Sequence, residues 1–244
     1  MIKVILLNIG LVLGLLIGVP FLFIYLLAAI NRNTKAAIAE RFGIGGQLVF
    51  GFLGVIIHEA SHLLVALIFG HRIRSVRLLR WPTRDNPALG YVNHTWRPNN
   101  LYQTIGNLFI GIAPVFGCAI STLLLAKWLL PTIYNRLINF TNPTYTITDF
   151  SLPAFQWGPM IVFLLLSANI CIGGFDLSPS DYQNAVQGLA ATILLLGLLA
   201  GVASILPVSA VIFTALHQVV RLVATILIFN LVISTLLNLI SKIG

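Results

Sequence analysis

His58, Glu59 and His62 lie together in one apolar stretch, Gly54-Val-Ile-Ile-His58-Glu59-Ala-Ser-His62-Leu-Leu. On a helix the two histidines are about 40° apart around the axis and roughly 6 Å apart along it, so both imidazoles leave the same face. Two imidazoles at that spacing can share one zinc ion. Glu59, beside the first of them, can then act as general base towards a water that the metal acidifies to a pKa of about 7. The competing reading is a polar helix face packed against other helices. A charge at the centre of an apolar span costs about 2.5–3.5 kcal/mol, which argues against three ionisable residues in five positions without a ligand to hold. The expectation is one mononuclear zinc site, with one Zn2+ per chain.

The elements that must position these residues are membrane helices. Of 244 residues, 58% are hydrophobic and 8% charged, against about 25% charged in soluble chains. A soluble, disordered or disulfide-stapled domain is excluded. The net charge of +8 is not a nucleic-acid signal, because most of the Lys and Arg residues lie in and beside two short connections between Arg32 and Arg97. That is the placement of juxtamembrane charge. Cys118 and Cys171 sit in apolar stretches with no metal-type spacing and read as small buried hydrophobes.

A span needs about 20 apolar residues in a helix. Six stretches qualify: Val4 to Ile30, Gln47 to Phe69, Ile105 to Leu130, Pro159 to Ile172, Val186 to Leu206, and Val208 to Ile240. The first is too long for a signal-peptide core of about 7–15 residues and reads as a retained anchor. The fourth is short and stops at Gly173-Gly174. The fold class expected is an all-α polytopic membrane protein, one integral domain over residues 1–244. Between the second and third spans, His71 to Arg80 alternates polar and apolar residues, Trp81 to Pro87 is rich in turn formers, and Gly90 to His94 returns as a strand. This predicts a small β-hairpin at the membrane face. The Lys and Arg tally over the short connections favours both termini, and the site, on the cytoplasmic side of what is expected to be a bacterial cell membrane.

These residues resemble the site-2 protease family of intramembrane zinc metalloproteases. In that family the His-Glu-x-x-His span leads into a β-hairpin that enters the membrane, which Phe69-Gly-His-Arg-Ile-Arg-Ser-Val and Gly90-Tyr-Val resemble. Gly111-Ile-Ala-Pro114 is similar to the Gly-Pro motif of the family's next span. The resemblance covers a core of about residues 46–188, with the extra spans 4–30 and 186–240 outside it. It implies a third metal ligand from an Asp after a Pro-rich break, usually within Leu-Asp-Gly. Here Asn169-Ile-Cys-Ile-Gly-Gly-Phe-Asp176-Leu-Ser-Pro-Ser-Asp181 stands in its place, without that tripeptide. Asp181 is the favoured ligand and Asp176 the alternative, while Asp181 also reads as part of a helix cap with Ser178 or Ser180. The resemblance further implies a substrate contact for Asn169. The function it implies is hydrolysis of peptide bonds within or near membrane-spanning segments, with a membrane-protein substrate and the lipid bilayer as partners. The alternative is a non-catalytic membrane scaffold with a degenerate metalloprotease fold, favoured by the missing Leu-Asp-Gly.

Overall fold

The computed structural model describes residues 2–83, 85–142 and 156–243. Among the described residues, six helices are long and apolar enough to cross a membrane, and one two-stranded antiparallel sheet accompanies them. The protein is an all-α polytopic membrane protein, and its outer surface is apolar. Leu7, Leu194 and Trp128 are each more than 70% exposed, as side chains that face lipid tails would be.

The N-terminal helix continues well past its apolar part. α1 (Ile2–Leu13), a π-helical turn (Gly14–Gly18) and α2 (Val19–Phe42) form one rod. Pro20 explains the turn, since its ring cannot accept the carbonyl four residues back and a widened turn relieves the clash. The span expected to end at Ile30 therefore carries Arg32 and Lys35 onward inside a helix. α3 (Ile44–Ile68) holds the His-Glu-x-x-His stretch, and β1 (Arg72–Arg77) and β2 (Tyr91–Thr95) form the expected hairpin. There follow α4 (Leu101–Leu129), a short α5 (Pro131–Phe140), α6 (Trp157–Gly174), α7 (Pro179–Ile205) and α8 (Ser209–Ile243). The fifth span thus begins seven residues before the expected Val186, because Ser178 caps α7 and Pro179 suits its first turn.

Close helix approach depends on glycine. Gly51 and Gly54 of α3 meet the backbone of α6 at Gly173 and Gly174. On the other side of the site, Gly111 and Gly188 let α4 and α7 touch backbone to backbone, Gly111 against Asp181 and Ala185, and Gly188 against Thr104 and Leu108. Where no hydrophobic driving force exists between helices, such small-residue contacts set the geometry.

α2 and α8 are joined by polar pairs: Asn31 Nδ2 donates to Ser234 Oγ at 3.1 Å, and Asn238 Nδ2 donates to Thr34 Oγ1 at 3.0 Å. Both pairs ascend together, so the two helices run parallel. The start of the first rod packs against the end of α7, where Asn8 Nδ2 donates to Ser204 Oγ at 3.0 Å. Side-chain pairing between helices so distant in sequence is invisible to a count of spans.

In the hairpin, Arg74 is an extra residue between the paired Ile73 and Ser75. That bulge puts Ile73 and Val76 on the same half-buried face although they are three residues apart. The loop beyond the strands reaches back along α3, where the Trp81 ring packs on Gly45.

Candidate metal centre

α3 presents His58 and His62 one turn apart, and both are buried. Their Nε2 atoms are 3.2 Å from each other. The first turn of α7 brings Asp181 to them: Oδ1 is 3.0 Å from His62 Nε2, and Oδ2 is 3.6 Å from His58 Nε2. Among the described residues this is the one group of three or more His, Cys, Asp or Glu side chains whose ligand atoms converge, all within 4.8 Å.

The tautomers follow from the outer ring nitrogens. His58 Nδ1 lies 2.9 Å from the Gly174 carbonyl oxygen, and His62 Nδ1 lies 2.8 Å from that of Ile110. A carbonyl can only accept, so both Nδ1 atoms carry the proton and both Nε2 atoms of the neutral rings are bare lone pairs. Two lone pairs and a carboxylate then converge on one point, which is repulsive without a cation between them. Tetrahedral zinc with bonds of about 2.0–2.1 Å keeps its ligand atoms roughly 3.3 Å apart. With one oxygen taken from the carboxylate, the three donor atoms lie within 4.8 Å of one another, and two imidazole nitrogens with a carboxylate are a donor set that zinc accepts.

Both carbonyls are available for backbone reasons. Gly174 is the last residue of α6, where the final four carbonyls have no helical N–H to accept. Ile110 lies mid-helix, but the residue four positions on is Pro114, which has no N–H to give. The proline leaves one acceptor free, and His62 takes it. Orientation of the ligand imidazoles is thus supplied by one helix end and one proline gap.

Asp181 is also the third helical residue of α7. Ser178 N–H donates to Asp181 Oδ2 at 2.7 Å, and Asp181 N–H donates to Ser178 Oγ at 3.3 Å, a reciprocal capping box. The cap and the ligand position are therefore two roles of one carboxylate. Asp176, the alternative ligand, is not brought to the histidines. It lies with Arg32 Nε and Lys35 Nζ, each at 3.5 Å. Asn169 lies in α6, where its Oδ1 accepts Leu53 N–H at 2.8 Å and so ties α6 to α3.

Glu59 is buried and lines the same cavity as His58, His62 and Asp181, a space of about 780 Å3. The hairpin forms its other wall. A Cβ on Gly90 would come within 2.6 Å of Glu59 Cγ, so the glutamate can extend against the hairpin only because residue 90 is glycine. The hairpin root is locked to α4. His71 Nε2–H donates to the Gln103 carbonyl at 2.9 Å, leaving its Nδ1 to accept from His94 Nδ1–H at 3.0 Å. Burial lowers the pKa of His71, and burial followed by the neighbouring histidines lowers that of His94 to about 4.

Sequence reasoning missed the parts played by Arg32, Lys35, Gly90, Gly174 and the Ile110 carbonyl. For Ile110 a signal existed, namely a proline four residues later in an apolar span. For the others the signal is spatial. No protein-family model, no characterised protein and no solved structure matches this chain.

Proposed function

We propose that the protein is an intramembrane zinc endopeptidase that cuts peptide bonds within or near the membrane-spanning segments of other membrane proteins. The observation that supports this most is the convergence of His58, His62 and Asp181 with Glu59 in the same cavity. His58, His62 and Asp181 would hold the ion, which leaves a fourth position open in a tetrahedral site. Bound there, zinc supplies Lewis acidity at neutral pH. Glu59 accepts the proton of the attacking water on its carboxylate and returns it to the leaving amine. It is not a ligand in this scheme, because its side chain leaves the helix about 100° from that of His58.

A substrate helix has its carbonyls tied up in its own hydrogen bonds, so it must unwind before attack. The hairpin wall of the cavity suits the unwound segment, since a strand edge offers main-chain partners to an extended chain. The arginine-rich connection between α3 and α4 argues for a cytoplasmic position of that end of the site.

The test is cleavage of a co-expressed single-span membrane protein by wild type and by Glu59→Gln. The wild type is expected to cut and the variant to fold, retain zinc and fail. A wild-type chain that holds zinc but cleaves none of a panel of single-span substrates belongs instead to the non-catalytic scaffold reading.

A further inference from the structure

Arg32 and Lys35 lie beyond the apolar part of the first rod, three residues apart and therefore on one face of α2. Both reach Asp176, Arg32 Nε to Oδ1 and Lys35 Nζ to Oδ2, each at 3.5 Å. Asp176 belongs to the connector of residues 175–178, which joins α6 to α7 without regular structure. That connector starts next to Gly174, whose carbonyl orients His58. It ends at Ser178, which is bonded to Asp181 in both directions. Two of the three metal-side groups thus depend on where four residues sit.

The cations come from a helix that is itself held. Asn31 and Thr34, neighbours of Arg32 and Lys35 in sequence, are the residues paired with Ser234 and Asn238 of α8. Lys35 is largely buried, with its side chain 14% exposed. Phe175 and Leu177, on either side of Asp176, are buried in the core, so the connector has apolar anchors flanking one carboxylate that is grasped by two cations.

We propose that Arg32 and Lys35 are positioning residues of the metal centre: they hold Asp176 and thereby fix the connector whose two ends orient His58 and Asp181. The N-terminal rod is then part of the metal site, although it contributes no ligand. This inference rests on the reading that the centre binds zinc, and the experiment separates the two.

Zinc affinity of the full chain in detergent is measured by chelator competition, and ligand geometry by the visible absorption of the cobalt-substituted protein. The variants are Asp176→Asn, Arg32→Gln, Lys35→Gln, and the reversal Lys35→Asp with Asp176→Lys made together with Arg32→Gln, so that no arginine faces the new lysine. Removing an outer partner of a metal ligand weakens binding about 10–100-fold. Asp176 lies one link further out than such a partner, so Asp176→Asn and Lys35→Gln are expected at the low end, about tenfold, with a changed cobalt spectrum, and the reversal is expected to recover most of the loss. Arg32→Gln, at a largely exposed side chain, is the variant least able to disturb folding and is expected to show a smaller loss of the same kind. Wild-type affinity in all three single variants overturns the inference alone. A reversal no better than Asp176→Asn also overturns it, because a direct ligand or a general folding defect is not rescued by exchanging charges. A wild-type chain that binds neither metal overturns this inference together with the zinc reading.

Discussion

His62 Nδ1 and the carbonyl oxygen of Ile110 are 2.8 Å apart, and they meet because Pro114 withholds the N–H that would otherwise claim that oxygen. A residue usually viewed as a defect in a helix here supplies the acceptor that orients a ligand.

Pro114→Ala should separate helix stability from metal binding. Alanine is about 3 kcal/mol better than proline inside a helix, so α4 itself gains. The new N–H competes with His62 for the Ile110 oxygen, and zinc affinity should fall about tenfold. Thermal unfolding and chelator competition on one preparation check both signs. Unchanged affinity in a stabilised protein would show that the proline gap does not orient His62.

Gly111→Ala should displace Asp181. The added methyl would collide with the Asp181 carbonyl oxygen and with Ala185, forcing α7 away from α4 at a cost of about 1–3 kcal/mol. Zinc retention should drop with stability. Gly158→Ala, where a Cβ meets nothing within 4 Å, is the control and should leave both unchanged. Equal behaviour of the two variants would contradict the packing described for α4 and α7.

Gly90→Ala should act on Glu59 and spare the metal. Its methyl would press on Glu59 Cγ at 2.6 Å and on the Arg77 carbonyl at 3.0 Å. Cleavage should fall towards the level of Glu59→Gln, whose loss of general-base catalysis is about 10²–10⁴-fold, with one zinc still bound per chain. Loss of zinc instead would mean that the hairpin supports the ligands and not the base.

Removing the ligands gives the simplest metal prediction. His58→Ala with His62→Ala should hold no zinc, against about one per chain in the wild type. Chelation of the wild type should lower its unfolding temperature to that of the double variant, since metal binding stabilises only the folded state. Full zinc occupancy in the double variant would remove this site from consideration.

Acid should loosen the hairpin. The folded-state pKa of His94 is lowered to about 4 and that of His71 is lowered as well, so the folded hairpin binds fewer protons than the free chain. Its docking is therefore at full strength above about pH 6.5, the ordinary histidine pKa, and is lost progressively as pH falls from there towards 4. Proteolysis of the detergent-solubilised protein at the hairpin should increase over that window, and His94→Gln should flatten the profile. A wild-type profile flat from pH 7 to 4.5 would contradict this.

Much of the fold was legible because a membrane span is a property of local composition. The six helices and the hairpin appear where apolar length and strand alternation place them. The boundaries that moved did so for local reasons too. α2 continues past Ile30 because Asn31 to Phe42 remains helix-compatible, and α7 starts early because a Ser-Pro-Ser-Asp cap precedes its apolar run. What composition could not convey was direction. The parallel course of α2 and α8 rests on Asn31 with Ser234 and Thr34 with Asn238, partners about two hundred residues apart.

The sequence by itself determined that His58 and His62 share a helix face and that Glu59 lies beside them, because three residues within one turn or so of helix have their relative directions set by the backbone period. It also determined that this helix lies among others in lipid. Only the tertiary structure decided between Asp181 and Asp176. Both carboxylates lie within a few residues of the same break, and either could swing towards the histidines along a flexible connector. The choice came from elsewhere in the chain: Gly111 admits α7 to α4 at Asp181, and Arg32 and Lys35 hold Asp176 away. Contacts between helices distant in sequence carry that choice, and they have no period to read.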